Sequence, residues 1–203
     1  MESIKLKISL IYLLFSSHGL SAQSPVFLID PRDQQTYKTI TYQIKTKKAS
    51  KEIVWMAENL NYETQNSYCL NDSTINCHKY GRYYTWYDAM KACPEGWHLP
   101  SNEEWQQLAD IHGGLAVAGK KLKHSEIVNK KNKVSFNGLL AGARDAVFNQ
   151  YFKFGSAGFF WSSTEVKTKP DEAYDWSFAS WTDQLRRWEG GKFIGNSCRC
   201  IKK

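Results

Sequence analysis

The side chains best suited to ligand chemistry lie near the C-terminus, where tryptophans alternate with charged groups. The candidate ligand-binding residues of this stretch are Trp176, Trp181, Asp175, Asp183, Arg186 and Arg187. Aromatic rings beside hydrogen-bonding groups are typical of surfaces that bind sugar faces or protein hot spots. We therefore expect a glycan or a protein as the ligand. The alternative is that these rings, with Trp188, line a second small core under long loops.

Side chains for catalysis are sparse. His98 and His112 are the only histidines that lie beside predicted secondary structure. The Trp-His-Leu context of His98 favours a hydrogen-bonded packing role. Ser101 is better explained as a helix cap than as a nucleophile. A carboxylate pair for glycoside cleavage stays conceivable in the acidic stretch from Asp171 to Asp183, although spacing in sequence does not test the separation that such chemistry requires. The sequence therefore predicts no catalytic residue.

A lectin-type calcium site would need paired carboxylates and amides in one loop. The nearest approach is Trp181-Thr182-Asp183, where threonine replaces the amide and so removes a hard oxygen ligand. We therefore predict no metal site and no cofactor.

Five cysteines in a chain with an export pattern indicate disulfides. Cys69 and Cys77 flank a polar, turn-forming segment, and a bridge there would close a short loop. Cys93 ends a predicted helix, and either Cys198 or Cys200, in the last strand-like segment, is its natural long-range partner. A zinc site built from Cys69, Cys77, His78 and a further histidine is the rival interpretation, but the short Cys-x-x-Cys pairing is missing.

The elements that must position these groups are clearest around residues 84–113. A helix over Thr85–Ala92 must end at Cys93, because Pro94 lacks an amide proton and clashes with the preceding turn. Ser101 and Glu104 form the Ser-x-x-Glu pattern of a capping box, which predicts a second helix over Glu103–Ile111. Gly113-Gly114 closes that helix.

The rest of the chain favours strands and loops. Strands are predicted at Val26–Ile29, Tyr37–Ile44, Ile53–Ala57, Gly155–Thr164, Ala173–Ala179, Gln184–Trp188 and Asn196–Ile201. Thr46–Lys51 is predicted to be an exposed loop and 114–144 to be irregular loops with short elements. Trp55, Trp86, Trp97 and Trp105 are predicted core residues. Two helices with several short strands and long loops define an α+β domain stapled by disulfides.

The N-terminus has the three-part layout of a secretory signal. Basic residues precede an apolar run at Ile8–Phe15, and small residues end at Ser21-Ala22. Cleavage is expected near Ala22, which leaves residues 23–203 as one domain in the secreted, periplasmic or cell-surface space. The apolar run is too short to span a bilayer, so no membrane insertion is expected.

The net charge of +7 gathers in two lysine-rich stretches at 45–51 and 120–133. Neither stretch is interleaved with aromatics or set on a nucleic-acid reading motif, so no nucleic-acid partner is expected. We interpret both stretches as solvated loops; attraction to a polyanion or an acidic glycan is the alternative.

Four long words resemble the Fibrobacter succinogenes major paralogous domain: WMAENLNYE at Trp55–Glu63, YGRYYTWYDAMKACPEGWHLPSNEEWQQL at Tyr80–Leu108, GFFWSSTE at Gly158–Glu165 and the closing SCRCIKK. The resemblance covers about Asp30–Lys203. It implies an exported bacterial domain with Cys69 paired to Cys77 and Cys93 paired to Cys200. Family members usually carry an apolar residue at the position of Cys198, which leaves that thiol unpaired.

More distantly, the Trp-His-Leu-Pro-Ser turn and the Glu104-Trp105 helix resemble C-type lectin-like domains and formylglycine-generating enzymes. These resemblances imply a C-type lectin-like fold but two different functions. The function we expect is that of an exported, non-catalytic module, associated with the cell envelope, that binds glycan or protein. The alternatives are an enzyme of the formylglycine-generating oxidase type, a hydrolase, or a purely structural envelope component.

Overall fold

The computed structural model describes residues 26–45, 50–124 and 134–203. The expected signal peptide, residues 46–49 of the predicted loop at Thr46–Lys51 and most of the second lysine-rich stretch lie outside these ranges. The helices are α1 (Thr74–Tyr80), α2 (Trp86–Ala92), α3 (Asn102–Ile111) and α4 (Leu115–Leu122). The strands are β1 (Val26–Ile29), β2 (Thr36–Lys45), β3 (Ser50–Met56), β4 (Ser67–Tyr68), β5 (Tyr83–Tyr84), β6 (Trp97–His98), β7 (Ala143–Asp145), β8 (Gln150–Phe152), β9 (Ala157–Glu165), β10 (Glu172–Ala179), β11 (Arg186–Gly191), β12 (Asn196–Ser197) and β13 (Ile201–Lys202).

The strands form two sheets and one separate hairpin. The five-stranded sheet has the order β1-β2-β3-β13-β6, and the six-stranded sheet has the order β11-β10-β9-β12-β5-β4. Among the strands of the described residues, β12 pairs with β9 in parallel and the other pairings are antiparallel. The C-terminal segment contributes β12 to one sheet and β13 to the other, so it joins the two. The described residues therefore form a mixed α+β domain, as the sequence predicts.

Two apolar cores lie on opposite sides of the buried strands. Trp55 and Phe160 belong to the first core with α3 and α4, whereas the following residues, Met56 and Trp161, belong to the second core with α2. Successive side chains of a strand point to opposite faces of the sheet. Because both faces of these strands are buried, their sequences are continuous apolar runs rather than alternating patterns.

The capped helix forms as predicted. The Ser101 hydroxyl accepts from the Glu104 amide, and the Glu104 carboxylate accepts from the Ser101 amide at 2.8 Å. The other Glu104 carboxylate oxygen lies 2.8 Å from His98 Nε2, which gives His98 the hydrogen-bonded packing role expected of it. Helix α2 ends at Ala92, before Cys93 and Pro94.

The prediction of two helices was wrong, because the described residues contain four α-helices. Helix α1 lies in the segment interpreted as a turn-forming loop, and α4 lies in the segment interpreted as irregular. Helix α4 contains Gly119, which lowers helix propensity. The contacts of α4 with other parts of the chain stabilise the helix in spite of this low propensity. Ser50 and Lys51 are also not loop residues, since they begin β3.

Both disulfides implied by the family resemblance are present. Cys69 bonds to Cys77 inside the α1 region, and Cys93 bonds to Cys200 across 107 residues of chain. The second bond ties the end of α2 to the terminal segment. Cys198 is free and fully buried in the second core.

Candidate functional site

A groove of about 600 Å³ lies between the helix pair α3–α4 and the edge strand β11. Gln106, Leu115 and Ala116 form its helical side, and Trp176 of β10 lies at its floor. This volume is within the range of roughly 300–1,000 Å³ found for small-molecule sites. The groove is therefore the candidate site of this domain.

The other side of the groove is formed by residues 184–188. They are Gln184, Leu185, Arg186, Arg187 and Trp188. This segment is held against α4 by backbone bonds, since Leu185 N donates to Leu115 O at 2.8 Å and Lys120 N donates to Asp183 O at 3.0 Å. The two sides of the groove are thus connected directly.

Close packing of α4 requires glycine at position 119. A Cβ atom added there would lie 2.1 Å from the carbonyl oxygen of Gln184. Gly119 thus allows the helix backbone to approach the segment that carries the two arginines. Its presence in the helix is explained by this contact.

The strand register places the floor and one arginine on the same face. Arg187 lies directly opposite Trp176 in the β10–β11 pair, and opposite residues of an antiparallel pair share a face. Arg186 and Trp188 lie opposite Ser177 and Asp175, so their side chains project from the other face of this edge strand. They border the groove rather than fill it.

Trp176 is a core residue and not an exposed ligand-binding aromatic. Only 2% of it is exposed, its ring stacks on Trp105, and its indole Nε1 donates to Asn102 Oδ1 at 2.9 Å. Its face of β10 is covered by α3, so little of the ring is open to a ligand. Its remaining role is to line the floor of the groove.

Asp175, unlike Trp176, is not part of the lining of the groove. It is 6% exposed and points to the opposite face of β10 from Trp176, and its Oδ1 atom has no hydrogen-bond partner. Burial raises the pKa of the Asp175 carboxyl from 3.8 to about 7. The strand separates this carboxyl from Trp176, so the structure does not bring the two predicted residues together.

Trp181 and Asp183 are exposed but lie outside the lining of the groove. Trp181 is 63% exposed, with Lys153 Nζ 5.7 Å from its ring centroid. The Asp183 carboxylate lies 3.4 Å from Lys120 Nζ. The structure thus brings together only Trp176, Arg186 and Arg187 of the six predicted residues.

The groove also contains residues that the sequence interpretation missed. Gln106, Leu115, Ala116, Gln184 and Leu185 were not proposed as site residues. Leu115 and Ala116 could be found only by recognising α4. The apolar spacing of Leu115, Ala118 and Leu122 is the available signal, and Gly113-Gly114 and Gly119 obscure it.

A second, smaller cavity of about 350 Å³ lies near Arg199. The Arg199 side chain is fully buried, and burial lowers its pKa to about 9. Its Nε donates to Asn59 Oδ1 at 2.9 Å, and its terminal nitrogens donate to the carbonyl oxygens of Phe136 and Asn137. Through these bonds the buried Arg199 side chain joins Asn59 to the segment at Phe136 and Asn137.

The sulfur atoms do not offer a ready metal site. Cys69 and Cys77 are bonded to each other, so the zinc interpretation that needs their thiolates was wrong. The Sγ atoms of Cys93, Cys198 and Cys200 lie within 4.8 Å of one another, but two of the three form a disulfide. Burial raises the pKa of the remaining Cys198 thiol, which keeps it protonated.

These observations define a disulfide-bonded α+β domain with a groove along the edge of its larger sheet. The model of the Fibrobacter succinogenes major domain matches residues 45–202, and the chain belongs to this family. No curated protein and no solved structure matches the chain. Among the described residues, no helix has the length and apolar character that crossing a bilayer requires.

Proposed function

We propose that this protein is an exported, non-catalytic binding module of C-type lectin-like architecture, which binds glycan or protein through the groove beside β11. The composition of the groove carries the proposal. Within the described chain, its lining combines aromatic, guanidinium and amide groups and includes no carboxylate, histidine or thiol. Such a lining can hold a polar ligand but offers no acid–base pair or nucleophile.

Export is supported by the N-terminal pattern and by the two disulfides. Structural disulfides persist in oxidising compartments, and one of them links residues 107 apart. Expression of the full chain in a bacterial host should give a protein that begins near Gln23 outside the cytoplasm, as measured by intact mass. A cytoplasmic product that retains residues 1–22 would contradict export.

The binding site is tested by filling the groove. Ala116 lines it and is exposed, so Ala116→Trp should block the groove without disturbing a core. Val117 is also exposed but is not part of the lining, which makes Val117→Trp the matched control. On a glycan array, the wild-type protein and the Val117→Trp variant should bind the same glycans, and the Ala116→Trp variant should lose them.

Two outcomes would count against this proposal. Equal binding by both variants would place the site elsewhere, and no binding by the wild-type protein to any glycan or to a defined protein ligand would remove the binding function. Repeating the array with a chelator should change nothing, because no carboxylate lines the groove. Loss of signal on chelation would show that a cation takes part.

A further inference from the structure

We infer that the groove beside β11 is selective for anionic glycans, those that carry carboxylate or sulfate groups. This inference rests on the proposed binding function and specifies its ligand class. It depends on four features of the described residues. They are the charge of the groove wall, the fixed positions of its two exposed arginines, the position of Trp188, and the location of β11 at the edge of the sheet.

The described lining of the groove carries two positive charges and no negative one. Among the described residues that line it, Arg186 and Arg187 are the charged ones. Neither guanidinium lies within 4.0 Å of a described carboxylate. Glu189, the nearest acid along β11, is occupied by Lys169 at 2.8 Å. Both guanidinium groups therefore keep donors for an external anion.

The arginines are exposed but are held in defined positions. Arg186 Nε donates to Gln184 Oε1 at 2.8 Å, and the Arg187 guanidinium lies 4.8 Å from the centroid of the Tyr174 ring. Such support reduces the side-chain entropy that is lost when a ligand binds. A guanidinium presents paired donors in a planar fork that matches the two oxygens of a carboxylate or a sulfate.

An aromatic residue lies next to these cations. Trp188 is 50% exposed, and its indole Nε1 donates to Ser177 Oγ at 3.0 Å, which fixes the ring at the border of the groove. A ring fixed in this way offers an apolar face for the carbon–hydrogen face of a sugar.

The location at a sheet edge suits a chain-like ligand. In the part of the chain that the structure describes, β11 has a neighbouring strand only on its β10 side, so residues of both faces can reach a ligand that lies along the edge. Arg187 would contact it from the groove side, and Arg186 with Trp188 from the other side. The amide side chains of Gln106 and Gln184 add neutral donors and acceptors for hydroxyl groups.

The test is calorimetric binding of oligogalacturonate, its methyl ester and a sulfated dextran. The methyl ester has the same sugars without the charges and should bind at least about tenfold more weakly than the acid. Arg187→Gln should weaken the binding of the acid about tenfold, the effect of one charge-assisted hydrogen bond. Lys91→Gln removes an exposed positive charge on α2 and should change nothing. The ratio of acid to sulfated binding identifies the preferred anion.

The outcomes separate this inference from the proposed function. If the methyl ester binds as tightly as the acid, or if Arg187→Gln binds normally, the groove binds glycans without charge selection and the inference is overturned. If polyglutamate of equal charge binds as tightly as the acid, the groove recognises charge and not sugar, which also overturns it. If glycans bind only through another surface, the Ala116→Trp experiment fails first. Circular dichroism of Arg187→Gln, an exposed substitution, verifies its folding.

Discussion

At the scale of single residues, two tryptophans of neighbouring strands differ strongly in exposure. Trp176 and Trp188 lie twelve positions apart on paired strands, yet the first is 2% exposed and the second 50%. The difference arises because α3 covers one face of β10, whereas β11 is an edge strand. The proposed binding role therefore falls to Arg187 and Trp188, whose side chains are exposed, rather than to the buried tryptophan.

The buried carboxyl of Asp175 should make stability depend on pH. Its pKa is about 7 in the folded protein and close to 3.8 in the unfolded chain, so the folded state holds a proton that the unfolded state releases. The resulting stabilisation is fully present below about pH 4 and is lost as the pH rises through 7. Asp175→Asn removes this dependence, because the amide does not ionise.

The measurement is urea unfolding of both proteins at pH 5 and at pH 8. The free energy of unfolding of Asp175→Asn, relative to the wild-type protein, should increase between these pH values by about 1–3 kcal/mol. Asp171→Asn changes an exposed carboxyl and serves as the control, with no such increase. An equal difference at both pH values would show that Asp175 is already ionised in the folded protein.

At the scale of elements, α3 and α4 are formed for different reasons. Local sequence accounts for the start of α3, whereas packing against distant residues stabilises α4. Helix α3 begins at a reciprocal cap, so its start is visible within four residues of sequence. Helix α4 begins at Leu115 after the N-cap residue Gly114, which has no side chain to cap it, and contains Gly119. Its stability comes from burying Ala118 and Leu122 in the first core and from backbone bonds to residues 183–185.

Gly119→Ala tests this explanation, because helix propensity and packing predict opposite results. Propensity alone predicts stabilisation by about 1 kcal/mol. The contact with the Gln184 carbonyl predicts a loss of about 1–3 kcal/mol in the free energy of unfolding, and weaker ligand binding, since α4 must move away from residues 184–188.

Chemical denaturation of Gly119→Ala gives the sign of the effect. Lys121→Ala changes an exposed residue of the same helix and should stay close to the wild-type value. A Gly119→Ala variant that is more stable than the wild-type protein would rule out the packing constraint at this position.

At the scale of the whole molecule, the two disulfides contribute unequally. The Cys93–Cys200 bond closes a loop of 107 residues and joins α2 to the segment that supplies a strand to each sheet. The Cys69–Cys77 bond closes a loop of only eight residues. In the chain-entropy description, a longer loop restricts the unfolded chain more strongly.

The double variant Cys93→Ser/Cys200→Ser should therefore lose about 4–5 kcal/mol of unfolding free energy. The double variant Cys69→Ser/Cys77→Ser is the matched control and should lose about 2–3 kcal/mol. Guanidinium unfolding of the unreduced proteins compares the two. An equal or larger loss in the control would mean that the long link does not organise the domain.

The sequence alone determined the features that depend on neighbouring residues. These are the end of α2 at Cys93-Pro94, the capped start of α3 and the family words, together with the α+β class that follows from the mixture of patterns. Such features are readable because a cap, a proline or an alternation acts within a few positions of the chain.

Only the tertiary structure decided which of the candidate residues meet. Trp176 and Asp175 are adjacent in sequence, but β10 sends them to opposite faces, and each face is covered by a different part of the chain. Helix α4 exists because residues about 65 positions later accept and donate its backbone bonds. Burial, and the proximity of residues from distant segments, depend on how those segments pack. A local sequence pattern does not determine that packing.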